Sequence, residues 1–417
     1  SAPRPEDFRY IGHSPMKVDG PAKVTGATRF ADDRNLPRQL HAKILRSDVA
    51  YARIVRIDTS RAEALPGVEA VLTGESMPIP FGILPVSQDE HALCVDRVRF
   101  VGDPVVAVAA VDEETAFAAI QAIHVEYEKL DPVFDPAKAI RNEIEPLHDY
   151  GDDGNVHKRV SMEFGDVEGA LAAADEVLED VFFFEGNTHL PMEQHASLAW
   201  REPDGRLTIW SSTQTPHYLH RALSKVLQLP PSRVRVVACP NGGGFGGKSD
   251  PFNHEVVAAK LALMTNRPVK IALTREEVFY CHRGRHPTLM NIRTGFTKDG
   301  RITGMHFQSL LDGGAYGSYG VASTYYTGAL QTVTYQVPTY RFDGVRTFTN
   351  KPPCGPKRGH GTPQPRFAVE VQLDKAAARL GLDPAELRLS ILQPPDSITA
   401  NWLKVATMGL GECIQKV

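Results

Sequence analysis

A glycine-rich loop is the part of the sequence whose residue types point most directly to chemistry. Five of the six residues from Gly242 to Gly247 are glycine, the exception being Phe245. Glycine lets the backbone approach a ligand closely, so several N–H groups can converge on an anion or a polar edge. The loop also fits the pattern G-x-x-x-x-G-K-[ST], ending at Lys248 and Ser249 between a predicted strand and a predicted helix. A phosphate loop of a nucleotide hydrolase and a turn used only for packing are therefore open alternatives.

Four other side chains stand where they could act on a ligand. Gln214 follows a predicted strand and precedes a predicted helix, and an amide there can donate to a metal–oxo group without adding charge. Arg358 lies in a loop dense in glycine, proline and basic residues, where a guanidinium is a fixed cation that stabilises developing negative charge. Arg285 is a second guanidinium, and Tyr326 is a phenol that could polarise a carbonyl or deliver a proton.

The cysteines and histidines do not form a metal-binding pattern. The five cysteines are widely scattered without a C-x-x-C pair, which is not typical of a disulfide scaffold and favours a reducing compartment. Iron–sulfur clusters need closely spaced thiolates, so electrons for redox chemistry would enter through another chain or a non-thiolate cofactor. His282 and His286 flank Arg285 and are expected to support it rather than to bind a metal.

The composition excludes other classes of protein. The 417 residues carry 46 Lys and Arg against 50 Asp and Glu, a formal net charge of −4, which argues against coating nucleic acid or an anionic membrane. No run approaches the roughly 18 apolar residues of a membrane helix. The polar segment Ser1–Tyr10 is not typical of a signal peptide. We therefore expect a cytoplasmic protein that binds neither nucleic acid nor membrane.

Alternating apolar patterns and turn signals predict the elements that position these residues. A small α+β domain is predicted over residues 1–135, a linker over 136–155, and a larger mixed domain over 156–417. Phe100–Val111 predicts two short strands around a turn, and Asp204-Gly205 and Lys298–Arg301 predict hairpin turns. The elements predicted beside the glycine loop and after Arg358 are helix Pro216–Leu227, strand Val234–Ala238, helix Asn253–Thr265, strand Val269–Leu273, helix Phe367–Leu380 and helix Pro384–Leu392.

Taken together, four segments resemble the molybdenum-binding large subunit of the xanthine dehydrogenase/aldehyde oxidase family. In the family's order these are Ser211–His217, Gly242–Lys248, Gly284–Pro287 and Arg358–Gln364. Lys17–Ala31 and Ile44–Ile57 resemble its hammerhead domain. The resemblance implies an α+β fold, with an α/β hammerhead domain followed by the first part of a molybdopterin-binding domain. The segments that look most like the α subunit of 4-hydroxybenzoyl-CoA reductase are Gly186–Ala196, Ser309–Tyr326 and Lys351–Gln364.

The resemblance also implies which residues would contact the cofactor. In the family, the Gln that matches Gln214 hydrogen-bonds an oxo ligand of the molybdenum, and the Arg that matches Arg358 lies beside the metal. The pterin dithiolene holds the molybdenum, so no side chain is expected to bind it directly. The implied cofactor-binding set is Gln214, Gly244, Phe245, Gly246, Arg358, Gly359, His360 and Gly361.

The activity implied is reductive dehydroxylation of 4-hydroxybenzoyl-CoA to benzoyl-CoA in anaerobic aromatic degradation, with Arg358, Arg285 and Tyr326 as catalytic candidates. The alternative is hydroxylation of an aldehyde or an N-heteroaromatic with oxygen derived from water. Ser249 stands where purine oxidisers of the family carry a Glu that binds the ring, which makes a purine substrate doubtful. Pro-Lys precedes Arg358 where Ala-Phe is common in the family.

The resemblance further implies that the cofactor is molybdopterin cytosine dinucleotide and that other chains transfer the electrons. Partner subunits would carry [2Fe-2S] and [4Fe-4S] clusters and FAD, with a ferredoxin-type donor, in a dimer of heterotrimers (a heterohexamer). The family's large subunit normally continues for several hundred residues and contains an active-site Glu near its C-terminus, which has no counterpart here. A truncated chain, a split subunit and a scaffold half without activity of its own all stay open.

Overall fold

The computed structural model describes residues 8–141, 143–281 and 283–417. His282 and the first seven residues of the polar N-terminal segment lie outside the described residues. Within the described ranges, no helix is both long enough and apolar enough to cross a membrane.

Helices and strands are interspersed along the chain. The strands are β1 (Leu40–Arg46), β2 (Ala52–Asp58), β3 (Val68–Thr73), β4 (Arg97–Val98), β5 (Pro104–Ala110), β6 (His124–Lys129), β7 (Val156–Phe164), β8 (Glu176–Phe184), β9 (Ala196–Arg201), β10 (Leu207–Ser211), β11 (Val234–Ala238), β12 (Val269–Ala272), β13 (Thr288–Phe296), β14 (Ile302–Asp312), β15 (Tyr340–Thr347), β16 (Ser397–Ile398) and β17 (Lys404–Val405). The α-helices are α1 (Gly20–Val24), α2 (Ser60–Glu63), α3 (Glu113–Ala122), α4 (Pro136–Ile140), α5 (Val167–Ala172), α6 (Pro216–Val226), α7 (Asn253–Thr265), α8 (Arg275–Tyr280), α9 (Gly320–Ala329), α10 (Pro363–Leu380), α11 (Pro384–Ile391) and α12 (Leu410–Lys416).

The larger sheet joins the N-terminal region to the region that carries the glycine loop. Its strand order is β11-β10-β9-β12-β1-β5-β3, and β1 pairs in parallel with β12 through Leu40 and Val269. Helix α7 packs on this sheet with a largely buried, alanine-rich surface. The glycine loop runs from the end of β11 to the start of α7, so two buried elements hold its ends.

The second sheet, in the order β7-β15-β14-β13-β8, holds the other half of the predicted site. Helix α10 packs on it, with Leu373 and Ala376 buried together with Ile292 and Met290 of β13. The loop that contains Arg358 leaves β15 and enters α10. Its ends are therefore fixed by a buried strand and a buried helix.

Several predictions from the sequence are confirmed. The structure has the predicted α+β class, and α6, β11, α7 and β12 lie within one or two residues of their predicted bounds. Asp204-Gly205 and Lys298–Arg301 are turns of the β9–β10 and β13–β14 hairpins, with positive φ at Gly205 and Gly300.

Three predicted boundaries differ. Phe100–Val111 contains one strand rather than two, because the Asp103 carboxylate accepts the Arg99 N–H and closes a turn before β5. Helix α10 begins at Pro363 rather than Phe367, since proline is tolerated in the first turn, where an N–H has no partner. The predicted linker contains α4, and a buried hydrogen bond joins Leu147 N to the Asn155 side chain at 2.9 Å. The domain boundary there stays a prediction.

A buried ion network connects the N-terminal region to the glycine loop. The Arg283 guanidinium donates from Nε to Asp250 Oδ2 at 2.8 Å and from Nη2 to Glu90 Oε1. Asp250 follows the glycine loop, whereas Glu90 precedes β4. Burial raises the pKa of Glu90 from 4.5 to about 7, against the opposing charge of Arg283. The network therefore depends on Arg283 to balance two buried carboxylates.

We expect Arg283→Gln to lower the free energy of unfolding by about 3–5 kcal/mol, because both carboxylates lose their buried counter-charge. Urea unfolding curves measure this loss. Since folding raises the pKa of Glu90, its stabilising contribution is present at acidic pH and is lost as the pH rises through about 7. The loss in the variant should therefore be smaller at about pH 5 than at about pH 8.

The matched control is Arg301→Gln, which removes an exposed ion pair with Asp299 and should change the free energy by at most about 1 kcal/mol. Equal losses in the two variants would contradict the assignment of Arg283 as the centre of the network.

Candidate active site

The glycines of the loop are required by close approach to three neighbours. A Cβ on Gly244 would lie 2.5 Å from Gln214 Oε1, and one on Gly247 would lie 2.8 Å from the His189 ring. Gly246 has φ +98°, and its Cβ would lie 2.4 Å from the Pro356 carbonyl oxygen. A side chain at any of these positions would displace the loop from Gln214 or from the Arg358 loop.

Gln214 is oriented by the backbone that it contacts. Its Oε1 accepts hydrogen bonds from Gly246 N at 3.1 Å and Lys248 N at 3.2 Å, and the backbone N–H of Gln214 donates to the Lys248 carbonyl at 2.8 Å. Because the amide oxygen is occupied in this way, the NH2 group points away from the loop backbone. Gln214 is exposed, so this donor faces the open side of the site.

The glycine loop carries further donors without a protein acceptor among the described residues. The backbone N–H groups of Gly243, Gly244 and Phe245 donate to no acceptor in the described part of the chain. Consecutive free N–H groups form a concavity that suits an anionic or oxo-bearing group. Phe245 has φ +53°, and its side chain is 44% exposed rather than packed in the core.

The loop with Arg358 is attached directly to the glycine loop. Arg358 N donates to the Phe245 carbonyl at 2.8 Å, which places the exposed Arg358 and Gly359 beside the exposed Phe245. Both Gly359 and Gly361 have positive φ. The structure therefore brings together the two segments that the sequence predicted as one site.

His360 and Tyr326 form the next part of the wall. His360 Nε2 lies 2.6 Å from Ser323 Oγ, and its ring meets the Tyr326 ring edge-on with centroids 5.6 Å apart. Burial lowers the pKa of His360 to about 4, so the ring is neutral near pH 7. A Cβ on Gly361 would lie 3.0 Å from Tyr326 Cβ, which shows how closely α9 approaches this loop.

Arg285 lies behind the loop rather than on its open side. It is 5% exposed, and its guanidinium donates to the Arg358 carbonyl at 2.6 Å and to Gln364 Oε1 at 3.3 Å. Burial lowers the pKa of Arg285. It also lines a cavity of about 380 Å³ with Asn187 and Cys354. In this geometry Arg285 positions the Arg358 loop, and its predicted catalytic role stays a prediction.

The position of Lys248 argues against a phosphate-binding loop. Its side chain is 1% exposed, and Nζ lies 2.6 Å from the carboxylate of Glu193. Gly242 N donates to the same carboxylate oxygen at 2.7 Å. A lysine held in this way cannot reach a phosphate, and helix α7 starts at Asn253 instead of directly after Ser249. The nucleotide-hydrolase alternative is therefore not supported.

Sequence reasoning assigned no role to three residues that hold the loop from behind. Besides Glu193, these are His189, whose Nε2 donates to the Pro356 carbonyl at 2.7 Å, and His195, whose Nε2 donates to the Gly247 carbonyl at 2.8 Å. Burial lowers the pKa of both rings, that of His189 to about 4, so each is a neutral donor. All three fall in Gly186–Ala196, a segment noted only for its resemblance.

The site fits a metal that arrives on its own organic ligand. Among the described residues, no group of three or more His, Cys, Asp or Glu could hold a metal ion. The donors present are the Gln214 amide, the free N–H groups of the glycine loop and the Arg358 guanidinium. Such donors match oxygen and sulfur atoms around a metal rather than the metal itself.

Comparisons with known proteins agree with this geometry. Residues 147–392 match the molybdopterin cofactor-binding domain, and residues 25–131 match the aldehyde oxidase and xanthine dehydrogenase a/b hammerhead domain. These matches confirm the predicted hammerhead domain followed by a molybdopterin-binding domain.

Two curated relatives differ in how much of them the chain covers. The nicotinate dehydrogenase large molybdopterin subunit of Eubacterium barkeri is 36% identical over 414 residues, covering 99% of this chain and 96% of the relative. The xanthine dehydrogenase molybdenum-binding subunit of Escherichia coli O157:H7 is 36% identical over 412 residues, covering 96% of this chain but 54% of the relative.

Solved structures show the same fold. The aldehyde oxidoreductase from Desulfovibrio gigas has a TM-score of 0.90 at 28% identity, over 96% of this chain and 45% of that one. Quinoline 2-oxidoreductase from Pseudomonas putida 86 also has a TM-score of 0.90, at 29% identity, over 97% and 53%. This chain spans about half the length of several proteins that it matches. The match over most of its length shows that the chain belongs to the xanthine dehydrogenase/aldehyde oxidase family, as a molybdenum-binding subunit of that family of oxidoreductases.

Proposed function

We propose that this chain forms one wall of the molybdenum site of a multisubunit hydroxylase that acts on an N-heteroaromatic compound or an aldehyde. The observation that supports this best is the outward NH2 group of Gln214 beside the free N–H groups of Gly243–Phe245. When bound, the molybdopterin cofactor supplies the two-electron oxidation of the substrate. Nicotinate is the first substrate to test, because the Eubacterium barkeri relative is a nicotinate dehydrogenase subunit.

The residues of this chain would bind the cofactor and exclude water from one side. Gln214 and the N–H groups of the glycine loop donate hydrogen bonds to it, while Phe245 and Tyr326, 44% and 38% exposed, border the substrate. Arg358 is a fixed cation that stabilises negative charge developing on the substrate. Ser249 hydrogen-bonds weakly to Gln214 and offers no carboxylate, so a purine is not the substrate that we propose.

The proposed site needs a further protein surface over this wall, from a later part of the same polypeptide or from another one. Gln214, Phe245 and Arg358 are exposed, and Leu190 and Met192, in the segment beside the glycine loop, are 51% and 90% exposed. Exposed apolar side chains around a site are typical of an interface. We propose that this further surface supplies the acid–base Glu of the family, with iron–sulfur and flavin subunits beyond it. The cytosine dinucleotide form of the cofactor, the cytoplasmic location and the heterohexamer belong to the same proposal.

Reductive dehydroxylation of 4-hydroxybenzoyl-CoA is the second candidate. It is supported by the sequence of the Lys351–Gln364 loop and by the phenol of Tyr326 against the neutral His360. In that reaction two electrons from a ferredoxin-type donor and two protons would convert the substrate to benzoyl-CoA and water. Tyr326 would then deliver a proton or polarise the thioester carbonyl.

One assay of the assembled complex distinguishes the two candidates. In water labelled with ¹⁸O, with nicotinate and an oxidised dye, we expect a hydroxylated product that contains one labelled oxygen. A C–H bond breaks, a C–O bond forms, two electrons reach the dye and two protons are released. With 4-hydroxybenzoyl-CoA and a reduced viologen, benzoyl-CoA would instead support the second candidate. A molybdenum-loaded complex that turns over neither these substrates nor a panel of aldehydes and other N-heteroaromatics would contradict both.

We expect Gly246→Ala to lower the molybdenum content of the purified complex by about tenfold or more, because the displaced loop loses N–H donors worth about 1 kcal/mol each. The cause is the clash of the new Cβ with the Pro356 carbonyl at positive φ. Elemental analysis per subunit measures the content. Gly381→Ala is the matched control, since Gly381 has φ +68° and open space around its Cβ. Equal molybdenum loss in both variants would contradict the proposed cofactor cradle, which is formed by Gln214 and the backbone of Gly243–Phe245.

We expect Gln214→Glu to lower kcat by about 100-fold with the loop in place, as removal of one preorganised donor does elsewhere. The variant keeps an oxygen acceptor for Gly246 N and Lys248 N but replaces the NH2 donor. Steady-state kinetics per bound molybdenum measures the effect. An unchanged kcat at full molybdenum loading would rule out the NH2 group as a catalytic donor.

A further inference from the structure

Three cationic side chains lie together beside the cofactor cradle, two of them in the loop that contains Arg358. Lys357 and Arg358 are consecutive, and the Arg285 guanidinium donates to the carbonyl oxygen of Arg358 at 2.6 Å. In the described ranges, no carboxylate lies within ion-pairing distance of any of the three, and the Lys357 ammonium makes no hydrogen bond. Partial burial lowers the pKa of Lys357, and the positive charges of Arg285 and Arg358 lower it further.

The backbone of Lys357 is held on both sides. The carbonyl of the preceding Pro356 accepts a hydrogen bond from His189 Nε2 at 2.7 Å, and the following Arg358 N donates to the Phe245 carbonyl at 2.8 Å. A Cβ on Gly246 would lie 3.2 Å from Lys357 N, so the lysine backbone lies against the glycine loop. The fold thus fixes the Lys357 backbone beside the glycine loop, with Arg285 and Arg358 as charged neighbours of its ammonium group.

Uncompensated cations at a fixed place destabilise a protein unless an anion binds there. Apart from Arg358, the donors offered to the cofactor are neutral and come from Gln214 and the backbone of Gly243–Phe245. The additional positive charges of Lys357 and Arg285 next to Arg358 suit a second, charged ligand.

We propose that Lys357, with Arg285 and Arg358 beside it, binds an anionic oxygen group of the substrate. Lys357 is thereby a specificity-determining residue, which selects substrates that carry a ring carboxylate or the phosphates of a CoA thioester over their neutral counterparts. This deepens the proposed function and rests on it for the identity of the ligand as substrate. Lys357 makes the direct contact with the anionic group. The buried Arg285 holds the loop through its hydrogen bond to the Arg358 carbonyl and adds a positive charge nearby.

The test is equilibrium binding to the assembled complex, without turnover. The probes are benzoate against its neutral isostere benzamide, and benzoyl-CoA against the phosphate-free S-benzoyl pantetheine, titrated by calorimetry. We expect wild type to bind at least one anionic probe about tenfold more tightly than its neutral partner, the effect of one charge-assisted hydrogen bond. The pair that shows the preference identifies carboxylate or phosphate as the source of the charge.

Lys357→Gln should abolish the preference, Lys357→Arg should retain most of it, and neutral probes should bind all three proteins equally. Lys298→Gln, which removes an exposed lysine in the β13–β14 turn, should change nothing. The proposal is overturned if the glutamine variant keeps the preference or if wild type shows none. It is also overturned if the glutamine variant loses molybdenum in proportion to probe binding, because the anion would then belong to the cofactor.

Failure of the proposed function gives a different result. A complex that binds anionic probes through Lys357 but hydroxylates or reduces no substrate refutes the proposed reactions and leaves the anion site in place. A complex with full turnover and no charge preference refutes the anion site alone.

Discussion

The structure of the site depends on the contact between the Gln214 amide oxygen and the backbone of the glycine loop. That oxygen accepts from Gly246 N and Lys248 N, and it leaves no room for a side chain on Gly244. This contact therefore fixes both partners, because the loop N–H groups orient the Gln214 amide and the amide oxygen restrains the conformation of the loop. The free N–H groups and the outward NH2 are consequences of this arrangement, and the proposed cofactor-binding surface consists mainly of backbone.

Buried charges hold this arrangement in place from behind. Lys248 and Glu193 form an ion pair beneath the loop, and Arg283 connects Asp250, just after the loop, to Glu90 of the N-terminal region. Such pairs contribute little net stability compared with apolar packing, but losing one partner is strongly destabilising. Their effect is to fix the loop against a sheet that both regions of the chain build together. The hammerhead region is thus part of the support of the site.

Local patterns and the family resemblance predicted much of this site, and long-range contacts explain what they missed. The glycine loop was predicted from its own composition, whereas Gln214 and Arg358 were assigned to the same site through the resemblance, and the structure brings the three together. The supporting role of His189 and Glu193 was not predicted, since each acts on backbone far away in sequence, and a single histidine or glutamate carries no signal of its partner.

The G-K-S pattern gave a phosphate-loop alternative because it contains no information on where the lysine points. The β1–β12 pairing is likewise a contact between distant segments that turn and periodicity signals do not encode.

The position of the molybdenum in the assembled complex tests the central claim most directly. Anomalous diffraction at the molybdenum absorption edge locates the metal without assumptions about the ligands. The account predicts one peak for each copy of this chain, beside the backbone of Gly243–Phe245, with the Gln214 NH2 group directed at the ligands of the metal. A peak elsewhere in the complex, or a Gln214 amide turned towards a protein acceptor in the loaded enzyme, would contradict it.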